Sequence, residues 1–261
     1  MNLRTKKTKA NEDQKKPLLP GSKWIKWKLI NQHEDLRSLQ PQTELYSPEA
    51  VEKFLEQYAK VFIKPDKSYG GRQVIRLQRE IGQIAALLGR KKRLFKHLYD
   101  FDQWLEPIRK GRLFIVQEGV DLVTLKDHPV DLRTILLPNE NNGWEVTGMF
   151  AKVAKKGKIV TNVKAGGKVI SVLDYLGQAG YTTEDQKVMM EQIENLSLKI
   201  TCIFSNIYRN KKYGLDLGID KNRNVKLIEV NSKPSLRILR KVDDNMYLRS
   251  IRLRRQSKNR Q

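Results

Sequence analysis

The stretch "LIEVNSKPSL", Leu227 to Leu236, ends an apolar run with a carboxylate and an amide two residues apart. Alternate side chains of a strand share a face, so Glu229 and Asn231 point the same way. Both carry hard oxygen donors of the kind that suit Mg²⁺. Asp216 stands in the preceding stretch "GLDLGID", and the turn "DKNRN" separates the two. If the two stretches pair as antiparallel strands, Asp216, Glu229 and Asn231 meet at one end of the pair. Two carboxylates and an amide there make a Mg²⁺–phosphate site. The plainer alternative is a hairpin with polar ends. A glutamate between apolar neighbours is costly to leave unpaired, which favours the metal reading.

Other residues have spacings that could serve phosphate chemistry. Lys64 ends the apolar stretch "VFIKP" and precedes the glycine-bearing loop "DKSYGGRQ". Glycines let backbone N–H groups approach phosphates, and a lysine adds a point charge. No Gly-Lys-Ser/Thr occurs there, so this is not a Walker A loop. An ordinary hairpin with a surface lysine reads the same way. In "FIVQEGVDL" a buried strand ends in Gln117 and Glu118 and relaxes at Gly119, an edge that could face an adenine. In "VDLR", Asp131 and Arg133 share a face. Arginine binds phosphate bidentately, although a cross-strand ion pair fits equally. Cys202 reads as a thiol inside a helix core, and the three histidines sit in unrelated contexts.

Positioning these residues requires both helices and strands. Helical spacing is read over "SKWIKWKLI", over "SPEAVEKFLEQYA" with Ser47 as cap, over "DFDQWLEPIRKG" with Asp100 and Gln103 as capping box, and over residues 182–208 with Thr183 and Gln186 as capping box. Strands are read at "VFIKP", "QVIRLQ", "RLFIVQEGV", "DLRTILLP", "WEVTGMFAKVA", "GLDLGID" and "VKLIEVN", with "NENNG" a hairpin turn. Mixed helices and mostly antiparallel strands imply an α+β architecture.

The chain has 261 residues, 39% hydrophobic, enough for one large domain or two lobes. No apolar run spans a membrane, and no apolar secretion core follows the basic start. A single cysteine fits a reducing compartment, so a cytoplasmic protein is expected. The net charge is +22. Residues 1–20 carry six basic and two acidic residues, and residues 247–261 carry six basic and none acidic. Both ends, 1–20 and 241–261, are expected to be basic tails flanking a domain over 21–240. A polyanion partner, whether nucleic acid or an anionic surface, is one reading of this charge, and plain solvation is the other.

Taken in order, "VFIKP", "RLFIVQEGVDL", "PVDLR…WEVTGMFAKVA", "TNVKAGGKV" and "YGLDLGID…LIEVNSKPSL" resemble the ATP-grasp superfamily, and most closely the YheC/YheD-type endospore coat-associated proteins. The match covers about residues 45–236. The resemblance implies two α+β lobes, about 45–116 and 117–240, holding ATP and Mg²⁺ between them. It leaves no room for a full preceding domain. By resemblance Lys64 and Gly71 contact phosphate, and Gln117, Glu118 and the Val120 backbone contact adenine. Asp121 lies by the ribose, and Asp216, Glu229 and Asn231 hold Mg²⁺. Arg133 contacts phosphate or a phosphorylated intermediate, Asn162 and Lys233 line the reacting end, and Lys26 or Lys28 is the upstream nucleotide lysine. The implied activity is ATP-dependent carboxylate–amine ligation through an acyl phosphate, in a sporulation or spore-coat setting. Of the three glycines usual in the family's loop only Gly71 remains, with Ser68, Tyr69 and Gln73 alongside. That departure keeps open a nucleotide-binding or structural coat protein without turnover. The net charge keeps open a basic nucleic-acid-binding protein.

Overall fold

Alternation in short apolar strands sets the architecture. In β2 (Val61–Pro65) Val61 and Ile63 are fully buried while Phe62 and Lys64 face the other way. The computed structural model describes residues 16–68, 70–141, 143–155, 161 and 166–259. Within these, every strand ladder is antiparallel.

The first sheet has six strands. With β1 (Thr43–Leu45), β3 (Ile75–Glu80), β4 (Gln83–Leu88), β5 (Lys91–Phe95) and β6 (Phe114–Glu118), its order is β1-β6-β2-β3-β4-β5. The helices Pro48–Gln57 and Leu98–Arg109 cover one face, burying Val51, Phe54, Phe101 and Leu105 against Val61, Ile63 and Val116. Ser47 caps the first helix by accepting from the Ala50 N–H. His97, and not Asp100, is the N-cap of the second. Asp100 lies at its third position, because the helix starts one turn earlier than the capping pair suggested. Strands β4 and β5 were not read from the sequence. Gly82 and Gly89, both at positive φ, make the turns that fold them back.

The second sheet has five strands. These are β7 (Val130–Pro138), β8 (Trp144–Val153), β9 (Lys168–Ile170), β10 (Tyr213–Ile219) and β11 (Val225–Asn231), in the order β11-β10-β7-β8-β9. Leu132, Thr134 and Leu136 of β7 face the long helix Thr183–Ile207, where Thr134 and Ser197 share a 3.0 Å hydrogen bond. That helix is capped by Thr182, one residue before the expected Thr183. Cys202 lies in it but is exposed, which corrects the core-thiol reading.

The other face of β7 carries Asp131, Arg133, Ile135 and Leu137. Its far half, Ile135 and Leu137, is covered together with Phe150 of β8 by a 3₁₀ turn (Leu236–Lys241) and the helix Asp244–Asn259. The expected basic tail over 241–261 is therefore corrected across 244–259. Leu253 is buried there, and buried Ser250 donates to the Thr147 carbonyl. The amphipathic spacing of Met246, Ser250 and Leu253 went unread because arginines dominate the composition. The amino-terminal tail is corrected in part as well. Leu19 is buried and its N–H donates to Asn210, while the Pro17 carbonyl accepts from the Arg209 N–H. Residues 1–15 lie outside the described part. Among the described residues no helix is long and apolar enough to cross a membrane.

Candidate functional site

The open half of the second sheet and the Phe62–Lys64 face of the first sheet enclose a cleft of about 1260 Å³. Ten lysines and arginines and five acidic residues line it. Residues 119–129 join the two lobes. The Gly119 N–H donates to the Lys60 carbonyl at 2.8 Å, and a Cβ at 119 would stand 2.6 Å from that oxygen, so the close approach requires glycine.

On the first-lobe wall, Lys64 and Gln117 share the face opposite the buried core. The register Phe62↔Gln117 and Lys64↔Ile115 puts them diagonally adjacent, and the ammonium donates to the Gln117 carbonyl oxygen. Burial lowers the Lys64 pKa to about 8, partly opposed by Glu229 and assisted by Lys23. Gln117 in turn donates to Thr43 at 2.9 Å, which fixes its amide. Glu118 pairs with Val61 on the core side of the sheet, and its carboxylate accepts from the Gln42 N–H at 3.0 Å. Its side chain is thus turned away from Gln117. Val120 lines the cleft. Asp121 bridges Lys60 at 2.7 Å and Lys221 at 3.3 Å, and the Lys60 hydrogen bond lowers its pKa.

The glycine-bearing loop is tied to the first helix. Asp66 accepts from the Ser22 hydroxyl at 2.9 Å and the Trp24 N–H at 2.8 Å, at the amino end of the helix Lys23–Asn31. Lys23 donates to the Ser68 hydroxyl at 3.1 Å and lies 3.7 Å from Glu229. Lys23 therefore touches both the loop and the opposite lobe, and it was missed in the sequence. Of the two lysines weighed there, Lys26 lines the cleft and donates to the Val230 carbonyl at 2.6 Å. Lys28 instead lies over the Trp24 ring. Gly70 and Gly71 have φ of 69° and 66°, and Gln73 adopts φ 58° without being glycine. Tyr69 lies outside the described residues.

On the second-lobe wall, the register aligns Arg133 with Asp216 and Asp216 with Glu229 across three strands. Arg133 donates to both Asp216 oxygens at 2.8 and 2.7 Å. Lys152, also unread in the sequence, donates to Asp216 at 2.7 Å and to Asp131 at 3.0 Å. Asn231 donates to Asp216 at 2.9 Å, which leaves its amide oxygen for another partner. Burial pushes Asp216 up, but Arg133 and Lys152 outweigh it and hold the pKa at about 2. Asp131 goes the other way: burial raises it to about 6 against the pull of Lys152. Both residues of "VDLR" thus form the cross-strand ion pairs that the plainer reading anticipated. Lys233 lines the same cleft. Asn162 lies outside the described residues.

A sequence model described as "YheC/D like ATP-grasp" matches residues 17–255. The chain belongs to the YheC/D-like ATP-grasp family. Two curated relatives come from Bacillus subtilis (strain 168). The chain is 26% identical to the endospore coat-associated protein YheD over 224 residues, covering 82% of this chain and 48% of YheD. It is 21% identical to the endospore coat-associated protein YheC over 226 residues, covering 84% of this chain and 61% of YheC. It therefore spans about half to three fifths of these relatives. The fold is that of ATP-grasp ligases. An N5-carboxyaminoimidazole synthase from Aspergillus clavatus, in complex with ADP and 5-aminoimidazole ribonucleotide, superposes with TM-score 0.51 at 11% identity, covering 82% of this chain and 45% of that one. The family match runs through the helix Asp244–Asn259 to residue 255, so this helix belongs to the ATP-grasp unit.

The ATP-grasp fold typically binds ATP and Mg²⁺, and the donor chemistry of this cleft fits both. The cationic excess suits a polyphosphate. Two carboxylates in direct register plus an amide oxygen suit a small hard cation. Asp216 shares its charge with two buried cations, so Glu229 is the less committed carboxylate of the pair.

Proposed function

We propose that this chain is an ATP- and Mg²⁺-dependent carboxylate–amine ligase. The observation that carries the reading is the meeting, across one cleft, of Lys64 and Gln117 with the Arg133–Asp216–Glu229 row. In this reading Lys23, Lys64 and the loop at Gly71 hold phosphates. Gln117, the Glu118 backbone and Val120 face adenine, and Asp121 borders the ribose. Asp216, Glu229 and Asn231 hold Mg²⁺, which supplies charge neutralisation on the phosphates. Arg133 and Lys233, with Asn162, line the end where an acceptor carboxylate would enter. Phosphoryl transfer asks mainly for positioning and charge stabilisation, which such residues provide. A carboxylate oxygen takes the terminal phosphoryl group as the bond to ADP breaks. An amine then attacks the acyl carbon and phosphate leaves.

A second reading, nucleotide binding without turnover in a spore-coat component, is favoured by Gln73. That residue holds positive φ in the phosphate loop, where the family usually has glycine. One experiment separates the two. ATP affinity is measured by titration with and without Mg²⁺, and ADP release is then followed in mixtures of carboxylic acids and amines. Mg²⁺-enhanced ATP binding with acid-dependent ADP release supports ligation, and loss of that release in Glu229→Gln assigns it to this cleft. Binding without release under any mixture supports the second reading. No ATP binding at all rejects both.

A further inference from the structure

The helix Asp244–Asn259 has one face committed to the second sheet and one facing out. Ser250 and Leu253 are buried, whereas Leu248, Arg249, Arg252 and Arg255 are exposed. From residue 245 to the end of the sequence there is no acidic residue. Arg249 reaches Glu145 at 2.6 Å, while Arg252 and Arg255 form no ion pair among the described residues. The adjoining turn Leu236–Lys241 adds exposed Arg237 and Lys241, and Lys212 is anchored beside it by donating to the Pro234 carbonyl at 2.9 Å. Burial and then the nearby Arg254 lower the Lys212 pKa, so folding brings like charges together at this end. None of these cations lines the cleft.

We propose that the exposed arginine face of this helix is a docking surface for the phosphodiester backbone of nucleic acid, bound without reading sequence. Arg249, Arg252 and Arg255 recur every three residues, so they follow one side of the helix at a rise of about 4.5 Å each. The guanidinium fork suits phosphate oxygens, and arginine rather than lysine occupies all three positions. The face is poor in groups that enter a lipid surface. Leu248 is its one exposed large apolar residue, and Tyr247 is half-buried with Arg240 over its ring.

The test uses the full chain and a labelled 24-base-pair duplex DNA of arbitrary sequence. Neutralising three phosphates makes binding fall by roughly 40-fold between 50 and 200 mM salt through counterion release. The triple variant Arg249→Gln, Arg252→Gln, Arg255→Gln is expected to lose that part of the salt dependence and at least tenfold in affinity at low salt. Its circular dichroism should match the parent because all three side chains are exposed, and its melting temperature should fall by no more than a few degrees, the share of the Arg249–Glu145 pair. An excess of ATP should leave binding unchanged, since the surface lies apart from the cleft. Equal DNA binding by parent and triple variant overturns the proposal, and so does displacement by ATP. A variant that loses binding to anionic vesicles or to poly-glutamate but keeps DNA binding also overturns it.

Discussion

Arg133 clamps both carboxylate oxygens of Asp216 on neighbouring strands, and Lys152 adds a third contact to the same group. Two cations and one carboxylate are thus held in a part of the cleft floor where each side chain is less than a fifth exposed. Removing a partner from such a set leaves charge without compensation. The variant Asp216→Asn is expected to lose about 3–5 kcal/mol of stability in urea unfolding. A loss below about 1 kcal/mol would mean that solvent screens the pair despite its burial. The pH dependence has a fixed sign. The Asp216 pKa is depressed in the folded state, so its contribution is present above the ordinary carboxylate range and disappears as pH falls toward about 2. Acid unfolding of the parent should therefore steepen below about pH 4, and the Asn variant should lack that steepening.

Lys64 gives a second prediction, on binding. Its pKa stands at about 8, so the ammonium is charged at neutral pH and discharges just above. Phosphate attraction requires the charged form. ATP affinity should thus decline above pH 8, by up to about tenfold per pH unit. Lys64→Arg should flatten the decline because arginine stays charged. Lys64→Ala should weaken binding at neutral pH, with the difference from the parent shrinking above pH 8, and should not unfold the chain, since the residue faces the cleft and not the core. An affinity indifferent to pH in the parent would remove Lys64 from contact with phosphate.

The carboxy-terminal helix gives a third. Leu253 packs with Ile135, Leu137 and Phe150 on the cleft side of the second sheet. Leu253→Ala should cost about 2–4 kcal/mol, whereas Leu248→Ala, on the exposed side, should stay within about 0.5 kcal/mol. Thermal unfolding of the two variants side by side reads the difference. Equal melting temperatures would return this segment to the status of a dispensable tail.

What the sequence determined by itself were the features written in local spacing. Alternation put Val61 and Ile63 on one face of β2 and Lys64 on the other, and the hairpin "GLDLGID…LIEVN" carried Asp216 into register with Glu229. Ser47 capped where its position required. The order of motifs carried the family. Only the tertiary structure decided how charges found partners. Lys152 and Lys23 stand far along the chain from the residues they contact, so no local pattern marks them. Whether Glu118 turns toward the cleft depended on which face of β6 meets the helices, and this follows from the packing of Val61 and Val116. The carboxy-terminal segment shows the same limit. Its arginines made it read as a solvated tail, but Leu253, with Met246 and Ile251 alongside, packs on a sheet face that only the folded chain supplies.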